Sequence, residues 1–515
     1  MKAKDFWPSS GGDSSSSTTV GDVVIRDAHD MVVEKTKSQG GHSVAANSAQ
    51  QGELQRQLSG RHLNFIAIGG TIGTGFFLGM GSALVKAGPG GCLISYVFVG
   101  TILCLGFAVG WLYWFGWAIT YALSLTAAGL IIQYWNKDFN IGILIAIFWV
   151  VFTLINYLPV GIYGELEMWL SSLKVITIVG FIIFGICIAA GVGDEGTLGF
   201  KFWHDPGAFN SYMVPGAIGK FVGFWAVMIQ ASVAYQGAEL VGVGAGEARD
   251  PRKTVPNAIR VTFWGIMGLF VSTMFLITML VPSNDPNLLN DSSDASASPL
   301  VIAAQRAGVR VLPHIINAVL LTAVLSAANS NVYSGSRILL ALAEEGQAPA
   351  FLKKTDRRGI PYFAVAVTAM FGLLGFLNLS SGGGQVFDWL LNISGVAGLT
   401  TWASTCLSHL CFTRALKAQG IPRSELPYVS RFQPYTAIYG LFFNVLITLT
   451  QGFTAFIDWN VSDFFAAYIS VILFVVLWLG HKLWYREPFV DPAKADLVRG
   501  RYDSNGERSP ADGGV

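Results

Sequence analysis

From Leu63 to Tyr485 the chain returns again and again to apolar runs of about 20 residues, the length a helix needs to cross the hydrocarbon core of a bilayer. Inside lipid every backbone N–H and C=O needs a partner within the protein, and a run of this length satisfies that demand as a helix. The runs fall near residues 65–85, 90–105, 106–135, 141–160, 167–191, 221–243, 261–282, 313–342, 362–380, 385–412, 435–457 and 463–485. They predict an all-α integral membrane protein of twelve spans, the second and third poorly separated. Charged residues make up 13%, against roughly 25% in a soluble domain, and a large soluble enzyme would interleave charge far more often.

The position of the charges sets the expected topology. Alternate loops carry Arg56 and Arg61; Arg249, Arg252, Lys253 and Arg260; Lys353, Lys354, Arg357 and Arg358; Arg414, Lys417, Arg423 and Arg431; Lys482 and Arg486. The loop at 283–299, on the other side, carries no Lys or Arg. The positive-inside rule places the basic set and both termini in the cytoplasm, which requires an even number of spans. Residues 1–60, rich in Ser, Gly, Asn and Gln, read as a disordered cytoplasmic tail. A transmembrane domain fills 61–486, and a second loose tail 487–515. Cys92, Cys104, Cys187, Cys406 and Cys411 all sit in apolar runs without metal-type spacing, so no metal or cofactor is expected. The net charge of +1 says nothing about nucleic acid, and no nucleic-acid partner is expected; no nucleophile elbow or phosphate loop suggests an enzyme.

Within the first run, Gly69, Gly70, Gly73, Gly75 and Gly79 fall inside eleven residues. Glycine is the poorest helix former after proline, so a break is expected here. Unwound backbone at membrane depth is tolerable where it lines a cavity and its freed groups bind a ligand. Close packing through Gly-xxx-Gly pairs explains the glycines equally well on their own. The sixth run decides between the two. It reads QASVAYQGAELVGVGAGE, interrupted by Gly237, Gly242, Gly244 and Gly246, and it contains the carboxylate Glu239. An ionisable group inside a span marks a functional site. Interrupted spans one and six, five apart, fit a 5+5 inverted-repeat core with two extra helices and a site at the repeat interface.

Three separated motifs carry a resemblance: RHLN followed by GGTIGTGFFLGMGSAL, then GAELVGVGAGEARDPRKTVPNAIR, then YSGSRILLALAEEGQAPAFLKKTDRRGIPYFAV. Together they resemble the fungal-type amino acid permeases of the amino acid–polyamine–organocation superfamily, from about residue 55 to 490. The resemblance implies secondary active import of amino acids, coupled to protons, at the plasma membrane. It implies that the backbone at Thr71, Ile72, Gly73, Thr74 and Gly75 binds the α-carboxylate. The carbonyls around Ala234, Tyr235, Gln236 and Gly237 would take the α-ammonium. Glu239 and Lys174, the lysine inside the fifth span, would couple protons. Substrate, protons and lipid are the partners expected; nothing indicates an oligomeric state. Glu165 and Glu167 read as interfacial. Asn392, Ser394, Thr400 and Thr401, with Trp389 and Trp402, could line a side-chain pocket or bond neighbouring helices, as could Asn329, Ser330 and Asn331. The bland reading of EARDPRKTVPNAIR is topogenic charge with a helix stop at Pro251 and Pro256.

Two departures from the family stand out. Residues 87–136 contain no Asp, Glu, Lys, Arg or His, and roughly 35–40 residues with a charged loop are lacking, with the seam at Leu103–Gly106. Ser124 stands where the family usually has glutamate. Either departure favours, as an alternative, a product of the same architecture that does not transport, a sensor or an inactive form.

Overall fold

The computed structural model describes residues 58–72, 84–86, 88–89, 110–244, 251–289, 298–379, 383–426, 429, 432–457, 459–485, 491–495 and 497. Of the expected disordered tail at 1–60, residues 1–57 lie outside them, while Leu58 is buried and Gly60 opens the first helix; the second apolar run at 90–105 and the seam at 103–106 also lie outside them. The described chain is helical throughout: α1 (Gly60–Thr71), α2 (Gly110–Gln133), α3 (Ile141–Ile155) and α4 (Val160–Ala189). Then come α5 (Gly216–Ala226), α6 (Met228–Tyr235), α7 (Leu240–Val243) and α8 (Pro251–Leu280). After α9 (Pro299–Arg306) follow α10 (Leu312–Glu344) and α11 (Tyr362–Met370), which continues as a 3₁₀ helix over Phe371–Leu379. The last three are α12 (Gly383–Ala418), α13 (Tyr435–Thr450) and α14 (Val461–Tyr485). Eight helices among the described residues are long and apolar enough to cross a membrane.

The polarity of these helices is inside-out. On α4 the side chains turned outward are Trp169, Ile176 and Ile183, 71%, 68% and 59% exposed, at intervals of seven residues. Turned inward on the same helix are Glu167, Ser171 and Lys174, all fully buried. A helix in water would reverse this arrangement; in a bilayer the apolar face meets lipid and the polar groups meet one another. Trp264, Ile218, Phe442 and Val476 continue the exposed apolar surface on other helices.

Two helices fill the centre. α2 and α10 run against each other along much of their length, and α12 packs on α2 from the far side. Their contacts use small and polar side chains as well as apolar ones. Asn331 on α10 donates to Ser124 Oγ on α2 at 3.1 Å, and Asn156 at the end of α3 donates to Asn329 Oδ1 at 2.9 Å. Tyr163 on α4 stacks on Tyr333 of α10 at 4.1 Å between centroids and donates to Ser330 Oγ at 3.1 Å. Asn329, Ser330 and Asn331 therefore serve as interhelical bonds. Ser124 is part of the same network.

Two local expectations need correction. Pro251 opens α8 instead of ending a helix, and Pro256 lies inside it. Proline is compatible with the first turn of a helix, where its missing N–H has no intrahelical acceptor. Near the C-terminus, Gln419, just past the end of α12, donates to the carbonyls of Pro492 (3.2 Å) and Ala495 (2.6 Å), tying a short 3₁₀ turn at Pro492–Lys494 to the end of α12.

Tyr333→Ala removes a buried aromatic stack and is expected to cost about 3–5 kcal/mol. Trp264→Ala, on the exposed face, costs little. Thermal unfolding of the two variants in the same detergent should separate them, with a lowered midpoint for Tyr333→Ala alone.

Candidate functional site: two interrupted helices in contact

α1 stops at Thr71. The N–H of Ile72 still bonds to the Ile68 carbonyl at 3.0 Å, but Ile72 itself (φ −77°, ψ 86°) has left the helix. Gly73, Thr74 and Gly75, the rest of the expected carboxylate site, lie outside the described residues. The sixth run breaks as expected. α6 ends at Tyr235, Gln236 is extended (φ −61°, ψ 138°), Gly237 has φ +103°, and helix resumes as α7 at Leu240.

The two breaks touch. A Cβ at Gly237 would sit 2.8 Å from the Gly70 carbonyl carbon and from the Thr71 nitrogen. Gly237 thus needs glycine twice over, for its left-handed backbone and for the peptide pressed against it. Thr71, Ile72 and Ala234–Gly237 are brought together in this way. Their side chains go elsewhere: the Thr71 hydroxyl bonds back to the Ala67 carbonyl at 2.7 Å, and Tyr235 points towards Met267 and Phe270 on α8. What the two breaks offer one another is main chain.

Beside the break stand the side chains of Gln236 and Glu239. Gln236 Nε2 donates to the Ser394 carbonyl at 2.7 Å, and Ser394 Oγ donates to Gln236 Oε1 at 3.0 Å. Ser394 also shares a 2.5 Å hydrogen bond with Thr120 on α2. Glu239 folds back so that Gly237 N–H donates to its Oε2 at 3.2 Å. Tyr113, itself beside Trp117, and Trp402 neighbour this carboxylate. Tyr113, Gly116, Trp117 and Thr120, one face of α2, close a pocket with Gln236, Glu239, Ser394, Ala397 and Gly398. The space left between these side chains is that of about one water molecule.

Lys174 lies on the other side of α1. Its Nζ donates to the Gly69 carbonyl at 2.5 Å, two residues before the break, and stands 3.7 Å from Glu167 Oε1. It is fully buried and does not reach towards a membrane surface. Glu165, half-exposed, accepts from Arg61 at 3.0 Å and contacts His62 at 2.8 Å, as an interfacial residue should. Glu167 contradicts the interfacial reading: it is 0% exposed and its Oε1 accepts from Ser171 (3.1 Å) and Ser326 (2.6 Å). Two residues apart on a helix are about 200° apart in direction, so one glutamate faces out and the other in. The signal was present as Glu167, Ser171 and Lys174 at i, i+4 and i+7. In span ten, Ser394 and Trp402 face the site. Thr400 and Thr401 bond back to the carbonyls four residues earlier, and Trp389 turns to Asp463 on α14. Sequence reasoning missed Tyr113, Trp117 and Thr120, whose i, i+4, i+7 spacing was likewise readable.

With this geometry in view, comparison with known proteins is decisive. The chain matches the amino acid permease family over residues 62–105 and 103–493. It belongs to the amino acid permease family. The basic amino-acid permease of Saccharomyces cerevisiae is 41% identical over 490 residues, covering 88% of this chain and 85% of its own. A probable lysine/arginine permease of Candida albicans is 45% identical and covers 84% and 81%. The dicarboxylic amino acid permease of Saccharomyces cerevisiae is 40% identical, covering 86% and 79%. The family match comes in two stretches that meet at 103–105, on the seam read from the sequence. With the first relative, 88% of 515 residues is about 453, against 490 aligned, so about 37 aligned positions face gaps in this chain.

Gly237→Ala is expected to lose about 1–3 kcal/mol from backbone strain alone, with the clash against Gly70 and Thr71 added. Gly242→Ala, whose new Cβ meets nothing, should leave the unfolding midpoint unchanged or slightly raised. Thermal unfolding of the purified pair is the check.

Proposed function

We propose that this chain imports amino acids across the plasma membrane by alternating access, driven by protons. The observation that carries the reading is the contact between the two breaks, where Gly237 abuts the Gly70–Thr71 peptide. A free amino acid carries one anion and one cation at its α-carbon. Backbone N–H groups at Thr71–Gly75 suit the carboxylate, and carbonyls at Ala234–Gly237 suit the ammonium. Glu239 and Lys174 are the groups that would take up and release the proton. Relatives named for basic amino acids and for lysine and arginine support an amino acid as substrate. A dicarboxylic relative of nearly equal identity means that overall similarity does not fix the side-chain charge.

The pocket around Gln236, Glu239 and Ser394 has no room for an amino acid side chain. Loading it requires α2 and α12 to part from the break, and the Gln236–Ser394–Thr120 bonds are what must open. In the proposed topology twelve spans place both termini, the basic loops and the tails at 1–60 and 487–515 in the cytoplasm.

Proteoliposomes carrying the purified chain should accumulate labelled amino acids when an inward proton gradient is imposed; testing all the common ones, lysine and arginine first, identifies the cargo. If none accumulates with or without the gradient, the proposal fails. Gly75→Leu, which fills the carboxylate site, should abolish uptake. Glu239→Gln should still exchange labelled for unlabelled substrate but should no longer concentrate it against a gradient.

A further inference from the structure

The ion pair beneath α1 is as fully buried as any group in the protein. Lys174 and Glu167 are both 0% exposed, 3.7 Å apart at their nearest charged atoms. The pair is built into three helices. Lys174 and Glu167 come from α4, the Gly69 carbonyl that accepts from Lys174 comes from α1, and Ser326, which donates to Glu167, comes from α10. Space is fitted around it: a Cβ on Gly69 would run into Ser171 and Glu167. The second carboxylate oxygen, Oε2, is buried with no hydrogen-bond partner among the described residues. Other charges on the packed elements stand away from it. Arg61 and His62 of α1 engage Glu165. On α10 the nearest charge in sequence to Ser326 is Arg337, eleven residues on. α8, which also packs on α4, carries its charges at Arg252, Lys253 and Arg260 and none from 261 to 280.

We infer that Glu167 is the positioning residue for proton coupling: the counter-charge that lets Lys174 hold a proton inside the membrane and so hold the end of α1 through the Gly69 carbonyl. The inference rests on the reading of Lys174 as a coupling residue. A lone ammonium in this interior is strongly disfavoured, and a carboxylate within 4 Å restores the charged form. With the proton on Lys174, α1 is bonded to α4 immediately before its break. When the proton leaves, that donor weakens and Glu167 is left an uncompensated buried anion until Lys174 takes up the next proton. The balance is one proton in and one proton out, with no other co-reactant. Removing either charge alone leaves the other unpaired; removing both leaves a neutral contact.

The test uses the full chain in proteoliposomes, with concentrative uptake measured against external pH. Glu167→Gln should keep substrate exchange but move the half-maximal pH of gradient-driven uptake to lower values by about one unit or more, because the ammonium has lost its partner. Glu167→Asp, which keeps the charge, should stay closer to the original profile. A Glu167→Gln profile identical to that of the unchanged chain, alongside a Lys174→Met variant that has lost its proton response, overturns the role of Glu167 and leaves Lys174 standing. Proton-driven uptake unchanged in Lys174→Met overturns the underlying reading instead. Should Glu167→Gln not fold, thermal unfolding of the double variant Glu167→Gln/Lys174→Met decides. Recovery of the midpoint supports the pairing; no recovery overturns it.

Discussion

A peptide group left unpaired in hydrocarbon has no water to turn to, and this constraint shapes the protein more than any other. The end of α1 at Gly70–Ile72 and the Gln236–Glu239 stretch after α6 would each be intolerable facing lipid. They are tolerable where the two meet. Gly237 lies on the Gly70–Thr71 peptide, and the Glu239 carboxylate bends back to take the Gly237 N–H. The rest of the fold can be understood as the shell that keeps lipid from this contact. α2 and α12 close it from one side, through Thr120, Ser394 and Gln236, and α4 and α10 from the other, through Glu167, Lys174 and Ser326.

The same constraint explains why the interior is the polar part of the molecule. On α4 the apolar residues Trp169, Ile176 and Ile183 face outward and the ion pair faces inward. In water such a helix would be unstable in isolation and prone to aggregate; in a bilayer each face meets its natural neighbour. A buried ion pair is poor evidence for stability, since hydrophobic replacements often do as well. Here the pair stands at the foot of an interrupted helix, bonded to it through the Gly69 carbonyl.

Much of this was legible in the amino-acid order because span length and glycine content are one-dimensional properties. The break at Gln236–Glu239 followed from QGAEL, and the placement of Lys174 inside a span followed from the apolar residues around it. The direction in which a side chain faces was harder. Glu165 and Glu167 are alike in sequence and opposite in the fold, and choosing between them needed the i, i+4, i+7 stripe with Ser171 and Lys174. Long-range pairings were not legible at all: nothing near Gln236 announces Ser394, 158 residues away. Pro251 misled because a proline that ends one helix and a proline that begins the next look the same in a loop of charges. The seam near residue 104 was readable only against the family's usual pattern, and the split family match supports it.

The central claim is that main-chain groups at two facing breaks grip both ends of a zwitterion. Its most direct measurement is thermal stabilisation of the purified chain by a matched ligand set: the free amino acid that stabilises most, its α-methyl ester, and its N-acetyl derivative. Stabilisation grows with ligand concentration over Kd, so the comparison reads affinity without requiring transport. The account predicts a raised midpoint with the free amino acid and none with either blocked form at the same concentration. Equal stabilisation by all three would show that the α-groups are not what the protein holds, and would contradict it.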